Sequence, residues 1–331
     1  MQKPGIKSVI PFSHALTLFV LWTLITVFGI KFTTKGEEVT LLQLISKGFA
    51  FPVFIAGFVL VAYTLARNLR AVLGLYRPAR LAHSILIYPL IAILCSLLAS
   101  TYLGKFNNFS SYGWPLVNCL FVGISEELMF RGVLLSSLVR IYRFWRAAII
   151  LSLMFGMVHV LNGFITGLFF ESFVQAILAT FSGFIFLAIR VKTKSIVLAI
   201  AIHWLWDFSV FMSATNPHAG GKIIEMMVSI VLAASPLAFG VLGIAQLRNR
   251  KVVEDFLAEQ PESISSELSL FLLTRSMSIF STLCRIIVTY KSPARTVPVS
   301  LHFCLVLQKE SHILSNRDGY SQALAKCQPL E

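Results

Sequence analysis

Three apolar segments of this sequence contain ionisable residues in short, regular patterns. The patterns are E-E-x-x-x-R, F-x-x-x-H and H-x-x-x-D, and their residues are, in chain order, Glu126, Glu127, Arg131, Phe155, His159, His203 and Asp207. A carboxylate in a poorly solvated site can take a proton from water near neutral pH. An imidazole can bind a divalent metal ion or donate a hydrogen bond to a developing oxyanion. Together these residue types could support hydrolysis by an activated water molecule.

Helical spacing determines which of these side chains can meet. Glu127 and Arg131 are four residues apart, so they lie on one helix face and can form an ion pair. Glu126 points about 100° away from Glu127, which leaves it free to face another helix. His203 and Asp207 are also four residues apart and share a face.

The surrounding composition is that of a membrane protein. Of the 331 residues, 56% are hydrophobic and 13% are charged, whereas about a quarter of an ordinary soluble domain is charged. A helical span needs about 20 mostly apolar residues, and the candidate segments are 12–30, 48–66, 84–103, 115–139, 147–163, 164–189, 195–214 and 223–246. We therefore predict an all-α, polytopic transmembrane bundle of about eight spans in the lipid bilayer. Between the fifth and sixth spans we expect a tight turn or re-entrant break at Asn162-Gly163.

Positively charged residues are distributed unevenly between the two ends of these segments. Fifteen Lys and Arg residues lie on one side of the predicted spans and five on the other, which places both termini in the cytoplasm. The net charge of +13 arises from short clusters between apolar segments. We interpret these clusters as topology signals and contacts with anionic lipid headgroups, and we expect no nucleic-acid partner.

The predicted spans bring the patterns to a common depth. Glu126, His159 and Asp207 each lie 13 residues from the predicted cytoplasmic ends of their spans, near residues 139, 146 and 194. At the rise of an α-helix this is roughly 20 Å for all three. Ionisable groups inside a membrane are costly and point to function. Three helices are therefore expected to deliver carboxylates and imidazoles to one layer.

The composition changes after residue 251. Residues 1–251 form the predicted transmembrane domain, with the patterns in a core of about 80–215, and residues 252–331 form a predicted cytoplasmic tail of uncertain order. The five cysteines show no paired spacing, so we expect neither a disulfide framework nor a thiolate metal site. Glu171 and Glu225 lie nearer the ends of their segments, and we expect no catalytic role for either.

The three patterns, in this chain order, resemble the CPBP family of CAAX prenyl endopeptidases and bacteriocin-processing or immunity-type intramembrane proteases. The resemblance covers about residues 80–215 and implies a glutamate-dependent intramembrane endopeptidase with a CAAX-protease-like bundle. By this resemblance Glu126 and His159 would activate the water molecule, and His203 and Asp207 would bind metal or stabilise the oxyanion. The supporting residues implied by the resemblance are Glu127, Arg131 and Phe155.

The resemblance also implies a cofactor, a substrate class and a location. A divalent, zinc-like metal ion would be held by Glu126, His159, His203 and Asp207. Family members often have Asn at the place of Asp207, and the additional negative charge beside Glu126 favours a bound cation or a shared proton here. The substrate would be a peptide or protein, prenylated, membrane-anchored or small and secreted. We favour a bacterial inner membrane, with the endoplasmic reticulum membrane as the alternative.

Two other functional classes remain open from the residues alone. A proton- or ion-coupled transporter also places Asp, Glu and His at mid-membrane, although the sequence shows neither clear repeats nor matching broken spans. A non-catalytic immunity or scaffold protein would keep the same side chains for structure. The absence of G-x-S-x-G and H-E-x-x-H argues against a serine hydrolase and an ordinary zincin.

Overall fold

The computed structural model describes residues 9–78, 83–106, 109–214 and 222–260, and these residues form helices and connecting turns without a β-strand. In chain order the α-helices are α1 (Phe12–Thr33), α2 (Leu41–Ser46), α3 (Phe51–Ala66), α4 (Arg70–Leu73), α5 (His83–Tyr102), α6 (Phe109–Glu127), α7 (Leu135–Ile141), α8 (Phe144–Val160), α9 (Asn162–Thr166), α10 (Phe169–Thr193), α11 (Val197–Ser213), α12 (Lys222–Leu247) and α13 (Arg250–Leu257). A π-helical segment, Leu128–Leu134, connects α6 to α7 without a break. The predicted all-α class is confirmed.

Each predicted membrane segment corresponds to a helical stretch. Five stretches are long and apolar enough to cross a membrane: Phe12–Thr33, Ser84–Tyr102, Phe144–Thr166, Phe169–Thr193 and Lys222–Leu247. Helices α3 and α11 are apolar but shorter, and α6, the π-helical segment and α7 run continuously from 109 to 141. The protein is therefore an all-helical, polytopic membrane bundle.

Large apolar side chains cover the outer faces of the bundle. Examples are Leu94 on α5, Leu153 on α8, Phe173 on α10 and Ile230 on α12, each at least half exposed. Such a surface is stable in contact with lipid, where backbone polar groups must find their partners inside the helices. The lipid bilayer is thus the natural environment of these faces.

The break between the fifth and sixth spans lies beyond the predicted position. The sequence predicts a turn at Asn162-Gly163, but α9 continues the helical path as far as Thr166. Gly167 then adopts a left-handed conformation with φ of 75°, which glycine reaches without the steric cost that a Cβ would impose. The chain reverses at this glycine and begins α10 at Phe169.

Small residues allow the helices that carry the motifs to approach closely. A Cβ atom added at Gly156 of α8 would lie 1.9 Å from Thr180 Oγ1 and 2.4 Å from the Ala176 carbonyl oxygen of α10. A Cβ atom at Gly123 of α6 would lie 3.2 Å from the backbone of α11 at Ile200 O. These approaches pack α8 against α10 and α6 against α11.

The last described helix extends across the predicted domain boundary at residue 251. Helix α13 packs its Phe256 ring beneath Arg190 of α10, with 5.1 Å between the guanidinium carbon and the ring centroid. Lys194 Nζ lies 2.5 Å from Glu259 Oε1. The division at 251 stays a prediction, and residues 261–331 of the predicted tail lie outside the described residues.

Candidate functional site

The Glu127 carboxylate connects two of the sequence motifs. Its Oε1 atom lies 2.8 Å from Arg131 Nη1 and 2.8 Å from His203 Nδ1. The side chain of Glu127 is fully buried. An ionised carboxylate only accepts hydrogen bonds, so Nδ1 of His203 is the protonated nitrogen of this contact. One oxygen atom therefore links α6, the π-helical segment and α11.

Arg131 is held by aromatic rings as well as by its ion pair. Its side chain is 1% exposed, and Nη2 donates a hydrogen bond to the Gly183 carbonyl oxygen of α10 at 3.2 Å. The guanidinium carbon lies 4.1 Å from the ring centroid of Phe155 and 5.1 Å from that of Phe186. These contacts offset the cost of a buried cation.

The His203 ring presents its second nitrogen atom to two carboxylates. Nε2 lies 3.4 Å from Asp207 Oδ2 and 3.7 Å from Glu126 Oε2. The ring stacks on Phe186, with centroids 4.7 Å apart and planes inclined by 16°. Because Glu127 fixes Nδ1 and Phe186 fixes the ring plane, Nε2 has a defined direction toward Glu126 and Asp207.

His159 is oriented by its own helix. Nδ1 lies 2.7 Å from the Phe155 carbonyl oxygen, and a carbonyl oxygen can only accept, so Nδ1 donates. The Phe155 ring meets the His159 ring edge to face at 5.1 Å. In the neutral ring the lone pair is therefore on Nε2, the nitrogen available to a water molecule or a metal ion.

Glu126 carries an uncommitted oxygen atom. Its side chain is 16% exposed, and within the described residues Oε2 has no hydrogen-bond partner. A buried acceptor without a partner is costly and calls for an explanation such as a water molecule, an ion or a catalytic role. Glu127 Oε2 also lacks a hydrogen-bond partner there, but Glu127 does not line the central cavity, so Glu126 is the better placed of the two to take a proton from a bound reactant.

The four predicted catalytic residues line one cavity. Its volume is about 420 Å³, and Glu126, His159, His203 and Asp207 contribute to its wall. The rest of the lining is mostly apolar and comes from α1, α2, α3, α6, α8, α9, α10, α11 and α12. The arrangement can bring a water molecule into contact with both carboxylates and imidazoles.

The acidic residues expected to be non-catalytic do not line this cavity. Glu171 is exposed at the beginning of α10, and Glu225 Oε1 lies 3.8 Å from Lys105 Nζ. Burial lowers the pKa of Lys105, which lies just outside α5, and the nearby Glu225 opposes this shift. This pair connects α12 to the segment after α5 and is separate from the site.

Sequence reasoning missed several residues that position the site. Trp22 of α1 donates from Nε1 to Ser125 Oγ at 2.6 Å, immediately before Glu126. Phe186 of α10 supports the His203 ring, and Gly183 supplies a carbonyl oxygen to Arg131. Ser125 carried a weak signal, as a hydroxyl beside Glu126. The sequence gives no such signal for the other three residues, Trp22, Phe186 and Gly183, because they lie among many similar apolar residues.

The predicted metal site has suitable donors but no converging geometry. Two imidazoles and two carboxylates are ligand types that zinc accepts, and the Nδ1–H of His159 is anchored to a carbonyl oxygen, as is common for metal-ligating histidines. Among the described residues, however, no three His, Cys, Asp or Glu side chains converge closely enough to hold an ion. We therefore derive no reaction step through a metal.

Residues 108–209 match the family model described as type II CAAX prenyl endopeptidase Rce1-like. This range, roughly a third of the chain, contains all three motifs, and the resemblance to CAAX proteases is thereby confirmed. Neither the curated proteins nor the solved structures give a significant match. The part of the chain that carries the motifs is therefore similar to a family described as prenyl endopeptidases.

Proposed function

We propose that this protein hydrolyses a peptide bond of a membrane-anchored or lipidated substrate, with Glu126 as the general base. The observation that carries the proposal is that Glu126 Oε2 accepts no hydrogen bond from the described residues and lies in a cavity that His159, His203 and Asp207 also line. A carboxylate oxygen with a free lone pair can accept a proton from a bound water molecule. Such a group beside oriented imidazoles is typical of water activation.

In the proposed reaction, Glu126 takes a proton from water as the oxygen attacks the scissile carbonyl carbon. The Nε2 atom of His159 positions this water molecule. A tetrahedral oxyanion forms, and Glu126 then returns the proton to the leaving amine nitrogen as the C–N bond breaks. The products are a carboxylic acid and an amine, and Glu126 is regenerated as a carboxylate.

His203 provides the proposed electrophilic support. When protonated, its Nε2–H can donate to the oxyanion, while the contact of Nδ1 with Glu127 holds the ring in place. Glu127 and Arg131 act as positioning residues because they hold the His203 ring by Nδ1 rather than meeting the substrate. The mechanism thus divides the motif residues into reacting and supporting groups.

The substrate is proposed from the surroundings of the site. The cavity is formed by membrane-spanning helices and is lined mainly by apolar side chains, so a chain segment held at the bilayer can enter it more readily than a soluble protein. The matching family is described by its action on CAAX prenyl proteins. A prenylated C-terminal segment is therefore the first substrate to test, with a small secreted peptide as the alternative.

The decisive experiment compares wild type with Glu126→Gln at equal expression. New N- and C-termini in the membrane proteins are identified by mass spectrometry, and we expect termini that occur only with wild type. Glu171→Gln is the matched control, because it makes the same change at an exposed residue away from the cavity. We expect Glu171→Gln to produce the wild-type termini.

Normal cleavage by a folded Glu126→Gln protein would contradict the proposal. If neither protein yields new termini, pH-dependent flux of a solute would instead favour a proton- or ion-coupled transporter. A wild-type phenotype in the Glu126→Gln, His159→Ala double variant would favour a non-catalytic immunity or scaffold protein. Each alternative is thereby separated by its own measurement.

The zinc-like ion remains a prediction with a test of its own. Removal of a required ion by a chelator would abolish cleavage, and added zinc would restore it, because the ion would polarise the carbonyl group or the water. Bound zinc is measured by elemental analysis of purified wild type and of the His159→Ala variant. Full activity in protein shown to be free of metal would contradict a metal requirement.

A further inference from the structure

Two carboxamide side chains lie in the cavity wall beside the reacting groups. Asn162 follows His159 by three residues, which places the two side chains on neighbouring positions of the helical path. Gln175 faces it from α10, and both residues line the cavity. Asn162 Nδ2 donates to Gln175 Oε1 at 2.9 Å. No role in the proposed mechanism requires either side chain.

The amide pair has hydrogen-bonding capacity left over. Each carboxamide has two N–H donors and an oxygen atom with two lone pairs, and the contact between them uses one donor and one acceptor. Within the described residues, Asn162 Oδ1 and Gln175 Nε2 form no further hydrogen bond. Neither atom is fully buried. The pair therefore offers an acceptor and a donor side by side.

Three other donors in the same wall already donate hydrogen bonds within the protein. Thr23 Oγ1 donates to the Phe19 carbonyl oxygen and Thr26 Oγ1 to that of Trp22. The indole N–H of Trp22 donates to Ser125. The amide pair differs from these neighbours because its free groups can serve a ligand.

We propose that Asn162 and Gln175 bind the main chain of the substrate, an inference that rests on the proposed endopeptidase function. An extended peptide presents N–H and C=O groups, and in a largely apolar cavity each of them needs a partner. Asn162 Oδ1 accepts from a substrate N–H, and Gln175 Nε2 donates to a substrate carbonyl oxygen. The scissile bond is held near His159 by contacts that do not depend on substrate side chains.

The test uses a farnesylated peptide with a Cys-aliphatic-aliphatic-X end as the probe. In a series of peptides, each non-scissile amide in turn is replaced by an ester, which removes one N–H donor and keeps the shape. We expect one ester position to lower kcat/KM of wild type about tenfold, through the lost hydrogen bond. Asn162→Leu cleaves the parent peptide more slowly and no longer discriminates against that ester. Identical ester profiles of wild type and Asn162→Leu would overturn the inference.

A second pair of variants separates binding from structure. Gln175→Met removes the donor, and we expect KM for the parent peptide to rise about three- to tenfold while kcat changes little. Gln246→Met is the matched control, because it removes a hydrogen bond from Lys192 Nζ outside the cavity. We expect its KM to equal that of wild type. A loss confined to kcat in Gln175→Met, or an equal loss in both variants, would contradict substrate binding.

The two proposals fail in different ways. Cleavage of the parent probe by Glu126→Gln would overturn the function, and this inference with it. Loss of cleavage in Glu126→Gln, together with an unchanged ester profile in Asn162→Leu, would keep the function and overturn the inference alone.

Discussion

A single carboxylate oxygen atom contacts two functional side chains of this site. Glu127 Oε1 accepts from Arg131 and from His203, each at 2.8 Å. All three side chains are at most 4% exposed. In such surroundings a charge without its partner is costly, whereas removal of both partners costs much less. The orientation of His203 therefore depends on a residue that need not touch the substrate.

This dependence predicts different outcomes for single and paired substitutions. Glu127→Leu leaves the Arg131 charge buried without its ion-pair partner, and we expect a loss of about 3–5 kcal/mol in stability. The Glu127→Leu, Arg131→Met double variant should recover much of this stability but not the cleavage activity, because His203 still lacks its Nδ1 partner. Thermal unfolding in detergent and cleavage of a prenylated peptide measure the two effects. A single variant as stable as wild type would contradict the argument.

At the scale of elements, the site depends on a local change of helix type. The π-helical segment Leu128–Leu134 follows directly after Glu127, and all seven of its residues are buried. Such segments occur often at functional sites, because the widened turn re-aims the side chains next to it. Arg131 lies within it and reaches Glu127, Gly183 and two aromatic rings. The change from α-helix to π-helix thus coincides in sequence with the residue that makes these contacts, Arg131.

The close packing of α8 against α10 gives a prediction for this scale. Gly156→Ala would place its Cβ 2.4 Å from a backbone carbonyl oxygen of α10, so the helices must separate. We expect a loss of about 1–3 kcal/mol in stability and reduced cleavage, because α8 carries Phe155 and His159. Unfolding temperature and kcat/KM provide the measurement.

Gly57→Ala is the control for this substitution. A Cβ atom at Gly57 would meet Ser125 at 3.5 Å, an ordinary van der Waals distance. We expect its unfolding temperature to stay near that of wild type. Equal losses of stability in the two alanine variants would show that the close approach of α8 and α10 at Gly156 has no specific effect on stability.

At the scale of the whole molecule, apolar outer faces and charged helix ends fix the protein in a bilayer. The five long apolar helices identify an integral membrane protein. The positive-inside count predicts a cytoplasmic location for the segment at Arg143 and an external one for Glu37. Both residues are exposed in turns between helices, which makes them suitable for labelling.

Single cysteines test this orientation. In a background without the five native cysteines, we expect a membrane-impermeant maleimide to label Glu37→Cys in intact cells. Arg143→Cys should be labelled only after the membrane is permeabilised. The reverse pattern would invert the predicted topology, and cleavage activity of both variants would show that they remain folded.

The sequence by itself determined the all-helical membrane class of the molecule, and it predicted the candidate residues of its site. Segment hydropathy indicated the spans, since about 20 apolar residues suffice to cross a bilayer. The spacing of Glu127 and Arg131 predicted their pairing on an α-helix face, and the pair forms although Arg131 lies in the π-helical segment. These properties are local, so they can be read along the chain.

Only the tertiary structure decided which partners meet across helices. The residue spacing predicted that Glu127 pairs within its own helix and that Glu126 faces another helix. In the structure, Glu127 also accepts a hydrogen bond from His203 of α11. Trp22 reaches Ser125 across 103 positions of sequence separation, and Phe186 stacks on His203 from α10. Such contacts depend on how far each helix is rotated about its axis and how closely neighbouring backbones approach. Rotation and approach are set by packing of the whole bundle, including the glycines that let α8 and α10 touch.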